Sequence, residues 1–108
     1  MAREVARGDI WLYRFARPDK RRPVLVLSRD VSLRFLATAV VAPITSTIRE
    51  LPSEVRMGAA DGLKVDSVAN LDHLYTVPKA ELRQWVGRLS EERMREVCAA
   101  LETAMGCR

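Results

Sequence analysis

The sequence predicts a small, mainly β domain of the α+β class: a strongly bent antiparallel sheet curled into a barrel, with a C-terminal helix packed on it. Three observations carry this. The chain breaks into several apolar or alternating runs of strand length, separated by short clusters of turn-forming residues. Only its C-terminal segment carries sustained helical periodicity. With 108 residues it is long enough for one core, so residues 1–108 are read as a single domain.

The elements follow in order. "GDIWLYRF", residues 8–15, sets Ile10 and Leu12 against Trp11 and Tyr13, the pattern of a strand packed on both faces. "ARPDKRR", residues 16–22, consists of turn-formers and cations and reads as a short loop. "PVLVLS" is a continuous apolar run, which suits a central strand covered on both sides; Pro23 stands at its first position, where a strand tolerates proline. "RDVSLRF" has no decisive pattern, and "LATAVVAPIT" is a further apolar strand ended by Pro43. "SEVRM" alternates as a strand does, and "GAADG" is a loop. "KVDSVANLDHLYTV" is long for one strand, so either a bent strand or two short ones are expected. "PKAEL" reads as a single helical turn and "QWVGRL" as a last short strand. "SEERMREVCAALETAMG" is the helix, with Ser90 as N-cap, Glu91 and Glu92 in the first turn and Gly106 as terminator. Met94, Val97, Cys98, Leu101 and Met105 make its apolar stripe.

Composition narrows the function. Apolar residues make up 48% and charged residues 30% of the chain, the balance of a soluble globular protein. No apolar run approaches the roughly 18 residues that a membrane span needs, and "MAREVARGD" lacks the apolar core of a secretion signal, so a cytoplasmic protein without a membrane partner is expected. Cys98 and Cys107 lie on a helix or its end, about 180° and roughly 13 Å apart, too far for a disulfide, and are read as small apolar filler with a free thiol at Cys107. One histidine and two such cysteines make no zinc pattern; no metal and no cofactor are expected. Charge is uneven: residues 1–34 hold nine Arg and Lys against four acids, while the whole chain is only +4. A basic end of this kind points to a polyanionic partner, nucleic acid first.

Three stretches hold candidate chemistry. A residue before proline is pushed into extended conformation, so Arg22 is held at the mouth of a strand, beside Lys20 and Arg21. Its planar fork of donors suits a phosphate, although a lone cation in a loop is as readily a solvated one. "APITSTIR" places Thr45, Ser46 and Thr47 with Arg49 where a buried run breaks at Pro43; these can hold phosphate oxygens or simply bond their own backbone in a turn. "DSVANLDH" holds Asp66, Asn70, Asp72 and His73, and His73 is the one side chain that titrates near neutrality in its unperturbed state.

Taken in order, "RGDIWLYRF", "RRPVLVLSRD", "VVAPITSTIRELPSEV" and "GLKVDSVANLDHL" resemble the MazF/PemK family of toxin–antitoxin toxins over about residues 7–105. The resemblance implies a small barrel related to SH3-like and CcdB folds, a homodimer, and a sequence-selective, metal-independent endoribonuclease of single-stranded RNA, held silent by an acidic, MazE-like antitoxin. It further implies attack of the 2′-hydroxyl on the adjacent phosphate, leaving 2′,3′-cyclic phosphate and 5′-hydroxyl ends, with translation and growth inhibited. The family's arginine before proline falls on Arg22 and its threonine after the P-x step on Thr45, giving Arg22, Thr45 and an accessory Asp72 as catalytic candidates. Arg17, Lys20, Arg21, Ser46, Arg49, Asn70 and His73 are the substrate-binding candidates. Some PemK-type members pair an arginine with an aspartate; here Asn70 stands in the arginine's place and His73 where glutamine is usual, so His73 is open to a base contact, a partner contact or titration.

The loop at residues 16–22 is shorter than in many relatives, which would leave the groove open enough for mRNA or for tRNA and rRNA loops. Trp11 is open to core packing or to stacking on a splayed base. Two other classes compete: a CcdB-like toxin that acts on DNA gyrase without being an enzyme, and a non-catalytic RNA-binding barrel. Arg22 and Thr45, retained where the nuclease needs them, weigh against the first, and turnover alone separates the second.

Overall fold

The structure, a computed structural model, describes residues 3–15 and 20–107. Seven strands are present among them: β1 (Asp9–Phe15), β2 (Lys20–Val26), β3 (Thr38–Thr45), β4 (Glu54–Met57), β5 (Ser67–Asn70), β6 (Tyr75–Pro78) and β7 (Gln84–Arg88). A short helix α1 (Asp30–Phe35) follows β2, and α2 (Glu91–Met105) closes the chain. The pairings are antiparallel in the order β4-β5-β3-β2-β1-β7, with β6 also on β3.

The ambiguous "RDVSLRF" is α1, and "KVDSVANLDHLYTV" is two short strands, both lying along β3. "GAADG" and "PKAEL" each contain a 3-10 turn. The expected loop at residues 16–22 is corrected at its C-terminal end. Lys20, Arg21 and Arg22 belong to β2, paired with Phe15, Arg14 and Tyr13, because the hairpin ladder runs on past Pro23. The remainder of that loop, residues 16–19 with Arg17, lies outside the described residues.

Successive apolar residues of the central strands go to opposite faces, which is why "PVLVLS" needs no polar position. Leu25, Ala42 and Ile44 enter one core with Met94, Val97 and Ala100 of α2; Val24, Val26 and Val41 enter a second with Trp11, Leu33 and Val77. Burying Met94 and Val97 is worth about 1.5–3 kcal/mol each, enough to hold α2 on the sheet. Ser90 Oγ accepts the Arg93 N–H at 3.1 Å and Gly106 ends α2 in the left-handed region at φ 69°, as its sequence implies.

The expected stripe of α2 is corrected at two places. Met105 is 49% exposed, and Cys98 is exposed rather than filler, its Sγ lying 3.2 Å from Arg7 Nη2. Cys107 is exposed as well, so the filler reading holds for neither cysteine, and both are free. No helix among the described residues is long and apolar enough to cross a membrane.

Candidate active site

The site is built by a parting of the sheet. β2 and β3 pair through Val26–Val41, Leu25–Ala42 and Val24–Pro43, and there the ladder stops. The next hydrogen-bonded pair in this register would be Pro23 with Ile44, and Pro23 has no amide N–H to give, so the pairing ends there. Beyond it β2 stays with β1, as Arg22–Tyr13, and β3 stays with β5, as Thr45–Val68. A seam opens between the two pairs of strands, with Arg22 on one lip and Thr45 on the other.

Pockets lie on both faces of this seam and share Arg22, Thr45 and Thr47. On the face of the second core, a pocket of about 310 Å³ adds Arg49, Asn70 and His73, with Phe15, Pro43 and Tyr75 as its apolar walls. On the face of α2, a cleft of about 660 Å³ adds Lys20, Ser46, Lys64 and Trp85. Among the described residues neither lining contains an Asp or Glu. Among the described residues four cations therefore face two connected hollows with no carboxylate in their linings, the electrostatic form of a polyanion site.

The side chains of Arg22 and Arg49 have no hydrogen bond or ion pair among the described residues, so both guanidinium forks are uncommitted. Thr45 Oγ1 accepts the Thr47 N–H at 3.2 Å, which orients the hydroxyl and leaves its proton to be donated into the pocket. Tyr13, across from Arg22, has its phenol pKa raised by burial and then by the charge and hydrogen bond of Glu81, so it stays neutral and puts no anion beside the arginine.

The loop that carries Arg49 is held from behind. Glu54 Oε1 accepts the Arg49 N–H at 3.1 Å and the Leu51 N–H at 3.4 Å, on either side of Glu50, whose φ of 57° is left-handed. Glu54 Oε2 is buried and has no partner among the described residues. Asn70, directly opposite Glu54, accepts the Asp72 N–H at its own Oδ1, 2.9 Å away.

Of the sequence candidates, Arg22, Thr45, Arg49, Asn70 and His73 come together in one pocket, with Lys20 and Ser46 in the adjoining cleft. Arg21 does not join them: it turns to the neighbouring hollow and donates to Gln84 Oε1. Asp72 does not line the pocket either, because it sits in the turn between β5 and β6 and accepts from Ser53 Oγ. Trp11 is 3% exposed and its Nε1 donates to Asp9 Oδ2 at 3.2 Å, so it packs in the core and does not stack on a base. Sequence reasoning missed Phe15, Tyr75 and Lys64; the alternation of β1, continued from Trp11 through Tyr13, was the available signal for Phe15. No group of three or more His, Cys, Asp or Glu among the described residues is placed to hold a metal ion.

The chain is similar to known proteins in both sequence and fold. Over 103 residues the chain is 46% identical to the probable endoribonuclease MazF5 of Mycobacterium tuberculosis, covering 94% of each. Its fold matches the M. tuberculosis toxin MazF-mt6 with a TM-score of 0.84 at 34% identity, over 93% of this chain and 98% of that one. An endoribonuclease from a mycobacterial species, solved in complex with its cognate antitoxin, matches with a TM-score of 0.87 at 30% identity, over 96% and 97%. Residues 6–105 match the model of the PemK-like, MazF-like toxin of type II toxin–antitoxin systems. With that match spanning nearly all of it, the chain belongs to the PemK-like, MazF-like family of type II toxins.

Proposed function

We propose that this toxin is an endoribonuclease that cleaves single-stranded RNA sequence-selectively at the Arg22–Thr45 seam, and so inhibits translation and growth. One observation carries the reading: Lys20, Arg22, Arg49 and Lys64 face two hollows that meet at an oriented threonine hydroxyl, with no carboxylate among the described lining residues. The endoribonuclease names of the relatives support it.

The RNA brings its own nucleophile. The 2′-oxygen bonds to phosphorus, the bond from phosphorus to the 5′-oxygen breaks, and the ends are a 2′,3′-cyclic phosphate and a 5′-hydroxyl. The 2′-hydroxyl proton leaves to water entering the pocket, and the 5′-oxygen takes a proton from water. Arg22 neutralises the charge that grows on the phosphoryl oxygens and donates a hydrogen bond to the leaving oxygen. It does so as a fixed cation, since a guanidinium does not give up its proton near neutrality. The Thr45 hydroxyl donates to a phosphate oxygen and holds the group in line. Lys20, Ser46, Arg49 and Lys64 carry the flanking phosphates. Because the chain's own cations stabilise the charge, cleavage is expected in EDTA. Asp72, tied to Ser53, has an accessory role in holding the turn that carries His73.

A homodimer fits the apolar face that α1 leaves open, where Val31 is 42%, Phe35 80% and Leu36 54% exposed. Sedimentation at micromolar protein checks this, and a monomer there contradicts it. An acidic antitoxin chain fits the same cationic hollows as RNA and would block them. The nuclease reading is tested by incubating the protein with a mixed single-stranded RNA pool in EDTA and sequencing the ends. Site-selective cyclic phosphates support it; bound but uncut RNA would leave only a binding barrel.

A further inference from the structure

The pocket beside the seam holds more than phosphate-binding groups. Tyr75 is 43% exposed at its mouth. Phe15 meets the Tyr75 ring edge-on, with centroids 5.0 Å apart, and is itself met edge-on by Tyr13 at 4.9 Å. Three rings in a row brace the outermost one from behind, so Tyr75 presents a fixed apolar surface to the pocket, the kind of platform on which an unpaired nucleobase stacks.

Asn70 supplies direction. A backbone N–H can only donate, so the end of the amide that faces the Asp72 N–H is the oxygen. That leaves the Nδ2 amino group, a pure donor, for the pocket that Asn70 lines. Arg22 and Arg49 are donors only, and the Thr45 hydroxyl has spent one lone pair on Thr47. His73 and the hydroxyls of Thr47 and Tyr75 can each present either a donor or an acceptor.

We propose that Tyr75, Phe15 and Asn70 form a nucleobase subsite next to the scissile phosphate. Its occupant is a base with a carbonyl oxygen where the Asn70 amide points: uracil at C4 or guanine at C6. Cytosine and adenine carry an amino group at that place and meet donor with donor. The subsite rests on the reading of this chain as an RNA-cleaving toxin and adds which bases it prefers. Asn70 acts here as a specificity residue, since the amide neither gives nor takes a proton in the cleavage step.

The experiment has two arms, run with the full chain. A random ribose RNA pool is cleaved and its ends sequenced, and an uncleavable 2′-fluoro pool of the same design is selected on immobilised protein. At one position near the scissile or bound phosphate, uracil and guanine are expected to exceed cytosine and adenine by about tenfold. Asn70→Asp keeps an oxygen for the Asp72 N–H but turns an acceptor to the pocket, and the ratio at that position should reverse. Tyr75→Ala should weaken retention of all four bases by about fivefold or more, with the ratio kept.

Cleavage without any such preference, or a preference that Asn70→Asp leaves unchanged, overturns the subsite and leaves the nuclease standing. The preference in the 2′-fluoro pool without cleavage of the ribose pool overturns the nuclease and leaves the subsite standing. Folding of each variant is checked by circular dichroism; if Asn70→Asp does not fold, the wild-type ratio and the exposed-site variant Tyr75→Ala decide the question.

Discussion

Arg22 and Thr45 occupy matching positions on two strands that have just stopped pairing: each lies two residues beyond the last partnered pair, Val24 and Pro43. Had the ladder continued, the two would face each other across it as ordinary cross-strand neighbours. Because it does not, the guanidinium and the hydroxyl flank an opening instead of a hydrogen-bonded strand pair. Pro23, with no N–H to give Ile44, ends the ladder where this opening begins.

Thr45→Ala removes the oriented hydroxyl while leaving the backbone pairing with Val68 intact. A fall in cleavage rate of about 10²-fold is expected, with affinity for uncleavable RNA within about threefold. Single-turnover cleavage together with a binding titration measures both; an unchanged rate would reduce Thr45 to a turn residue.

His73→Gln keeps hydrogen-bonding capacity and removes the imidazole. With Arg22 and Thr45 carrying the rate, cleavage is expected to stay within about tenfold of wild type across pH. A loss of about 10²-fold together with a flattened pH–rate profile would make the imidazole the acceptor of the 2′-hydroxyl proton.

Glu54 tests whether the Arg49 loop matters. Removing the carboxylate in Glu54→Ala frees the amides of Arg49 and Leu51, and should cost about 1 kcal/mol of stability and about tenfold in cleavage. Glu54→Gln keeps one oxygen for those amides and should restore both, since the second carboxylate oxygen is buried without a partner among the described residues. Failure of glutamine to rescue would show that the charge, and not the hydrogen bonds, is what the loop needs.

Gly87 fixes the far wall of the larger cleft. A Cβ there would stand 2.1 Å from the Asp61 carbonyl oxygen, and one at Gly62, whose φ is +95°, would stand 2.6 Å from the Val86 carbonyl oxygen of β7. Gly87→Ala should therefore destabilise by about 2–3 kcal/mol, lowering Tm by roughly 10 °C. Thermal unfolding by circular dichroism checks it, and an unchanged Tm would mean that the turn can shift away freely.

Much of the fold was legible because its signals are local. Strand runs, the Ser90 cap and Gly106 each declare themselves within a few residues. Arg22 and Thr45 were legible through the motif in which each precedes or follows a proline. What escaped depends on bends. Asn70 is the last residue of β5, and the next three turn; Asp72 on that turn swings to Ser53 while His73 reaches the pocket, which spacing alone does not settle. Phe15 on β1 and Tyr75 on β6 lie sixty residues apart and meet through tertiary strand pairing, β1 on β2 and both β2 and β6 on β3, which no local pattern encodes. Lys20–Arg22 read as loop because cations and a proline mark turns, whereas the hairpin partner kept them in strand.

The most direct test of the account is single-turnover cleavage in EDTA by wild type and by Arg22→Ala, on one oligoribonucleotide carrying a mapped cleavage site. Arg22 is exposed, so the variant should fold. A fall of about 10³-fold in rate is expected, with cyclic-phosphate ends from the wild type and RNA binding weakened only modestly. Cleavage by Arg22→Ala at a rate near wild type would contradict the placement of the reaction at the Arg22–Thr45 seam.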